Sequence, residues 1–514
     1  MSLFSTSGAR HAVSGIAVTA IALSVGTAFA RDDHDGPGHG GVSQSGEQKD
    51  MRRVAHVDLQ GREAYQPNVI TYPDGRVIAF IGTHGGTHPN PLNGGALEPN
   101  GTMIVDMTDA DHPKQLFHIP LTPGTTGTNQ MARMCIGKDL GGGLPPGAVY
   151  LMRNYGRGYE TYDVTDPSHP HFLASTEQNA AIGPMPVTHK LWWECKSGVA
   201  YMPGSRTSDH YVQRQSMVIV DWKNPTAPPN YIRTFTLPGG EPGGSGATSL
   251  HGAISAEDAF PGKNRVYAAW GVGSDGVIQI LDRDKLLHTP DTDNTTPVVG
   301  RLDMSPDQGG HTTMPVFNLQ PKGYGCYKQF TKRDIIVVTS EATANRCNEA
   351  PHWGFTVDAT TESKMWNLAT MSVDPRLGEK YPRGNYCTRG ARFGTHSVEE
   401  NFHNPYYGRL TFLAYFAGGV RAWDIREPQE PVEVGFYVGE TSPNVTPAGF
   451  YMTNNVEVDD RGYIITVDRV GAGMDILELQ GKAREIGLGL DKHSKEQREC
   501  VNDIPPGGGG GGGG

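Results

Sequence analysis

One phrase recurs along this chain, and it limits the fold more than any other feature. It is an apolar, β-rich run ending in Asp, then a polar turn carrying Pro, then a second short strand-like run. It stands as Met103-Ile-Val-Asp106 before His112-Pro113, and as Glu160-Thr-Tyr-Asp163 before Pro167. It returns as Met217-Val-Ile-Val-Asp221 before Asn224-Pro225, and as Gly419-Val-Arg-Ala-Trp-Asp424 before Pro428. Val277-Ile-Gln-Ile-Leu-Asp282 and Gly473-Met-Asp475-Ile-Leu are weaker copies. β-branched and aromatic residues make the strand, the Asp caps a turn by accepting from backbone amides two residues on, and Pro pre-sets the return. A unit of this kind cannot bury both its faces alone and must stack on its neighbours.

With the upstream strands included, the phrase divides the chain into units that begin near Tyr65, Met131, Thr188, Ser249, Gly310, Thr395 and Met452. Their spacing is roughly 60 residues, longer than the ~40–50 of WD40 and kelch blades, so the loops are long. The prediction is an all-β, seven-bladed β-propeller. Six or eight blades are the alternatives, because the unit from Gly310 to Pro375 is long and irregular. The 68 Gly, 37 Pro and 19% charged residues agree with many short strands joined by turns.

The flanks read differently. Arg10 and His11, an apolar run from Ile16 to Val25 and Ala28-Phe29-Ala30 have the layout of a secretory signal cleaved near Ala30. The expected organisation is a signal peptide over 1–30, a disordered leader over 31–50, the propeller over 51–490 and a tail with poly-Gly over 491–514. The mature chain is then periplasmic or secreted, with no membrane span. A net charge of -11 and no basic patch argue against a nucleic-acid partner. In an exported chain six cysteines allow three disulfides in fifteen pairings. Cys326–Cys347 is the favoured pair because the two flank one strand-like run, and Cys135–Cys195 and Cys387–Cys500 would complete the set.

Function is suggested by where the histidines fall within the repeat. Four consecutive units open with one: Thr188-His189, Leu250-His251, Gly310-His311 and Thr395-His396. The first strand of a blade lines the channel, so four equivalent histidines form an arc facing one point. Asn68, Arg133 and Asn454 are expected at the same height in the other units. Neutral imidazole is a common ligand for zinc, copper and iron. His189, His251, His311 and His396 are therefore candidate ligands of one transition metal ion, copper or iron ahead of zinc. Glu194, Glu341 and Glu399 could orient the rings, and Glu341, Glu399 and Glu400 could act as general bases. The same registry also suits a channel whose histidines only hydrogen-bond water and the next blade. His84 and His88 lie in a Gly-rich loop that could close over the channel mouth, Trp192-Trp193 read as blade core, and His352 and His403 have no repeat equivalent.

The repeated strands resemble the LVIVD-repeat family of extracellular β-propellers, over roughly Arg53 to Ile486. That resemblance implies the fold and an exported location. Gly310-His311-Thr with Ile335-Ile-Val-Val-Thr-Ser-Glu341 is similar to the selenium-binding protein and methanethiol oxidase family, whose propellers hold copper in a histidine-rich site. Carotenoid-cleaving oxygenases likewise hold iron with four histidines from separate blades. These likenesses imply that His189, His251, His311 and His396 are the ligands, although no HxxH pair accompanies His311. The reading is a metal-dependent oxidoreductase acting on an unidentified small molecule. Its alternatives are a non-catalytic propeller that binds an envelope protein and a metal-dependent hydrolase at the same site.

Overall fold

The computed structural model describes residues 47–122, 128–206, 216–272, 275–321, 332–341, 343, 347, 352–441 and 451–492. The expected signal peptide, most of the leader and the poly-Gly tail lie outside these residues. Seven four-stranded antiparallel sheets follow one another along the chain as the blades of a propeller. Blade 1 runs through Ala64–Thr71, Val77–Thr83, Gly101–Asp106 and Lys114–Pro120. Blades 2 to 5 open with Ala132–Ile136, Trp192–Trp193, Leu250–Ser255 and Gly310–Leu319, each followed by three further strands in order. The first strands contact one another from blade to blade, which makes them the channel wall.

The N-terminal segment closes the ring twice. Gln48–Lys49 adds an outer strand to blade 6, pairing with Tyr437 and Phe436. Met51–Val57 then adds the outer strand of blade 7, from Met51 opposite Leu479 to Val57 opposite Met474. The leader expected over 31–50 thus ends in ordered strand, because blade 6 would otherwise expose an unpaired edge.

The recurring phrase is the third strand of the blade, except in blade 6, where Val420–Asp424 is the second of the named strands. Asp106, Asp163, Asp221 and Asp424 each accept from the amide two residues on, at 2.8, 2.9, 3.0 and 3.1 Å. Asp358 does the same for Thr360 at 2.9 Å in blade 5, where Gly354-Phe-Thr-Val-Asp358 is a copy the sequence reading passed over. In the weak copy of blade 7, Asp475 caps no turn; it lies inside the strand Met474–Leu479 and bonds His56 and Tyr437.

Each sheet is apolar on both faces because a neighbour covers each face. In blade 3, Ala200, Met202, Val218 and Val220 pack against blade 2, while Val199, Tyr201, Met217 and Ile219 pack against blade 4. That is strand alternation read from two sides, and it explains why Met217 to Val220 is a continuous apolar run. Burying one such side chain contributes about 1.5–3 kcal/mol.

Two disulfides join described residues. Cys135–Cys195 ties blade 2 to blade 3 as expected. Cys347 pairs with Cys387, which corrects both the Cys326–Cys347 and the Cys387–Cys500 expectations. Cys347 is held instead by Cys387, on the segment that precedes blade 6. Cys326 and Cys500 lie outside the described residues. Both bridges suit an oxidising compartment. Among the described residues no helix is long and apolar enough to cross a membrane.

Candidate metal centre in the channel

The inner strands carry a recurring irregularity at their first turn into the channel. Register shifts between Leu250 and Gly252 in blade 4 and between Gly310 and Thr312 in blade 5 place His251 and His311 in bulges. Blades 1 and 7 shift at the corresponding point, at Ala64/Pro67 and Thr453/Val456, and so re-aim Tyr65 and Asn454. A bulge leaves one residue out of the ladder and turns its side chain away from the sheet. Gly252 follows His251 because a Cβ there would lie 3.2 Å from the Lys190 side chain. In blade 6, His396 precedes the named strands but hydrogen-bonds alongside Leu410–Ala414, with His396 N donating to Ala414 O at 2.9 Å.

The four histidines meet. His189 Nε2 lies 2.6 Å from His251 Nε2, and His311 Nε2 lies 3.2 Å from His396 Nε2. The His251 and His311 rings are 3.7 Å apart between centroids. Their other nitrogens are engaged behind them. His251 Nδ1 faces His311 O at 2.8 Å, and His396 Nδ1 faces Asn454 O at 2.7 Å. A backbone carbonyl only accepts, so both Nδ1 atoms carry the proton and both Nε2 lone pairs point inward. His189 Nδ1 meets Gln130 Oε1 at 2.5 Å, and its Nε2 also receives Tyr65 OH at 3.2 Å. His311 Nδ1 meets Thr312 Oγ1 at 2.7 Å.

Burial holds this group neutral. It pushes His189 down to about 3 and pulls His251, His311 and His396 well below the usual histidine value, with the neighbouring cations adding to the effect. Glu341, just beyond the strand Arg333–Ser340, stands at the same level. Its carboxylate is 3.8 Å from His396 Nε2 and accepts from Arg392 at 3.2 Å. Burial raises its pKa, while Arg469 and Arg392 oppose the rise. His251, His311 and Glu341 are all buried and offer ligand atoms within 4.8 Å of one another, a group that could hold a metal ion.

Several expectations need correction. The places beside the four histidines belong to Tyr65 and Gln130, because bulges and loop entries shift the inner strands of blades 1 and 2 relative to a simple count. Asn68 is buried farther along the strand, and Arg133 lies over Trp192 at 4.2 Å. Asn454 is at the expected height but contributes its carbonyl. Glu194 supports no histidine: it binds Arg283 at 2.6 Å, with Tyr201 and Ser255. Glu399 and Glu400 sit three to four residues beyond His396, about 10 Å along a strand. Glu399 bonds the Asn401 amide at 3.1 Å and Asn404 at 3.3 Å, and burial pushes its pKa well up. Glu400 pairs with both Lys190 and Arg133.

The remaining histidines separate clearly. His84 stacks on Tyr65 with centroids 5.8 Å apart and meets Arg469 at 2.8 Å; burial pushes it down to about 3. His88 lies in the ribbon of Thr87–Asn90 and Ala96–Pro99. His352 Nδ1 meets Ser340 Oγ at 2.8 Å, beside the site without entering it. Trp193 is core, whereas Trp192 is half-buried next to Arg133 and Phe402. Arg392, Arg469, Tyr65 and Gln130 escaped the sequence reading because they recur in no other unit.

No protein-family model matches this chain, and no curated protein matches it. What can be stated of its kind is therefore what the fold and the site carry: a seven-bladed β-propeller with a buried His251, His311 and Glu341 group that could hold a metal ion.

Proposed function

We propose that this chain is an exported, metal-dependent oxidoreductase whose single ion lies among the Nε2 atoms of His189, His251, His311 and His396. The observation that carries the reading is the 2.6 Å approach of His189 Nε2 to His251 Nε2. With Gln130 Oε1 and a backbone carbonyl accepting from their Nδ1 atoms, both Nε2 atoms are unprotonated and no hydrogen lies between them; Tyr65 OH, 3.2 Å from His189 Nε2, is the one donor beside the pair. Two such lone pairs repel at this distance, and burial prevents protonation from relieving them. A cation in the same space turns the repulsion into attraction. A channel lined with histidines only to hold water would instead turn donors toward acceptors.

Imidazole nitrogen suits copper, iron and zinc, so the donor set allows all three. The resemblances to selenium-binding propellers and to carotenoid-cleaving oxygenases favour the redox metals, copper or iron. A redox-active ion held here would exchange electrons with a small molecule entering at the mouth. Glu341 supplies a carboxylate to the ion or a base to that molecule. Glu399 and Glu400, first considered as bases, belong to a charge cluster deeper in the channel.

Elemental mass spectrometry of protein expressed to its native compartment tests the reading. About one copper or iron per chain, lost in His251→Ala without unfolding, is expected. Zinc would move the function to metal-assisted hydrolysis. No bound metal, even after reconstitution, would leave a binding propeller with a polar channel. Glu341→Gln separates the two roles of that residue: metal content falls if it is a ligand, and only turnover falls if it is a base.

A further inference from the structure

Two arginines stand beside the histidine cluster with less negative charge around them than the rest of this acidic chain provides. Arg153, Arg283, Arg426 and Arg461 each pair with a carboxylate at 2.6–2.8 Å. Arg469 does not. Its guanidinium donates to Asn454 Oδ1 at 3.0 Å and to His84 Nε2 at 2.8 Å, both neutral acceptors. Among the described residues no carboxylate lies within ion-pair distance of it. Arg392 shares the neighbourhood and has Glu341 at 3.2 Å. The local count is two positive charges against one negative, before any metal cation is added.

The walls around these charges are aromatic. Arg469 lies 5.6 Å from the centre of the Tyr65 ring, and Arg392 lies 5.7 Å from that of Phe416. Tyr65 sets its edge against both His189 and His396, with centroids 5.4 Å away in each case. The Phe416 ring is 4.9 Å from His396. Phe416 is also held at φ 44°, in the left-handed region that a bulky residue avoids. Such a conformation persists only where the surroundings over-determine it. Its fully buried ring is packed beside the histidines and the Arg392 guanidinium.

We propose that this is the recognition site for a small organic carboxylate, whose anionic group lies between the part-exposed guanidiniums of Arg392 and Arg469, backed from the buried side by Tyr65 and Phe416. The inference rests on the histidine cluster being the reaction site, and it names the class of molecule that site takes. Half-buried positive charge lacking a counter-ion is unfavourable, and a guanidinium fork matches a carboxylate through two parallel N–H donors. The substrate's anion completes the charge balance that Glu341 leaves short. His84 accepts from Arg469 and stays neutral, so it orients the fork without adding charge.

The test uses isothermal titration of the full chain, metal-free and metal-loaded, with benzoate and its neutral isostere benzamide. Benzoate is expected to bind at least about tenfold more tightly than benzamide, and Arg469→Gln and Arg392→Gln are each expected to remove most of that preference. Arg469→Lys keeps the charge without the fork and is expected to fall between the two. Equal binding of benzoate and benzamide overturns the inference, as does binding of neither. Unchanged benzoate affinity in a folded Arg469→Gln protein overturns it too. The underlying reading fails separately. A protein that takes up no metal yet discriminates benzoate through Arg469 keeps the carboxylate site and loses the metal centre. A protein that holds metal and shows no preference does the reverse.

Discussion

The channel contains two polar layers built from the same inner strands, and they are organised in opposite ways. In the histidine layer, the Nε2 atoms of His189, His251, His311 and His396 converge in pairs, at 2.6 and 3.2 Å, with their Nδ1 atoms engaged behind them. In the layer beyond, the charges answer each other. Glu400 takes both Lys190 and Arg133, and Lys190 also donates to Thr312 at 3.2 Å. Burial pulls Lys190 down, whereas its two cations hold Glu400 below its ordinary value. With two cations on one carboxylate, the ionised pair is the state this geometry supports. A cavity of about 10 Å³, lined by His311, Thr312, Lys190 and Glu400 among others, joins the layers and has room for one water. One layer pairs Glu400 with its two cations from within; the other brings together His251, His311 and Glu341 as a group that could hold a metal ion.

The largest expected effect strikes the histidine layer alone. His311→Ala removes one of the converging nitrogens and is expected to weaken metal binding by about a hundredfold or more, while the unfolding midpoint of the metal-free protein barely moves. Competition against a chelator measures the first quantity and urea denaturation the second. Lys190→Met should do the opposite. It leaves Glu400 buried with Arg133 as its one remaining cation, and a loss of about 3 kcal/mol in urea is expected with metal content unchanged. Equal loss of metal in both variants would erase the distinction between the layers.

A pH titration sharpens the comparison further. Burial pushes Glu457, next to Glu400 in the charged layer, up to about 8. The folded protein therefore binds more protons than the unfolded chain between the ordinary glutamate value and about 8. Stability falls as pH rises through that window, by up to about 1.4 kcal/mol per pH unit, and levels off above it. Glu457→Gln is expected to flatten that slope and to be the more stable protein at pH 8.

The smallest effect lies outside the channel. Burial opposes protonation of His56, but its 2.8 Å contact with Asp475 prevails and raises its pKa. A raised histidine stabilises the folded chain below its unfolded pKa, and that contribution disappears as pH climbs through the folded value. His56→Gln should remove about 2 °C of melting temperature below pH 6 and nothing above pH 8. Because its pH response has the same sign as that of Glu457, this variant is the control that assigns the larger slope to the channel.

How much of this was legible beforehand depended on whether a feature repeats. The clear copies of the phrase could be read because each carries its own Asp cap, and a turn is closed by neighbours two residues away. The four histidines could be read for the same reason, since each opens its own unit. Glu341 was named from the strand that precedes it. Glu399 was named on the same kind of evidence and fell into the other layer, because sequence distance along an inner strand is depth in the channel. Arg392, Arg469, Tyr65 and Gln130 occupy places that no other unit repeats.

The sequence by itself determined the blade repeat, the alternation that buries both faces, and the arc of histidines, while the structure settled the blade number at seven. Those follow from short-range chemistry: β-branched runs, Asp-capped turns, Pro and a period near sixty residues. Only the tertiary structure decided that Gln48–Lys49 and Met51–Val57 close blades 6 and 7. It also paired Cys347 with Cys387 and brought Arg469 to His84 and Tyr65 to His189. Apart from the disulfide, these contacts join residues from separate units, and small bulges in the inner strands set their heights. A ring must close before such residues meet, so no local pattern in the chain could announce them.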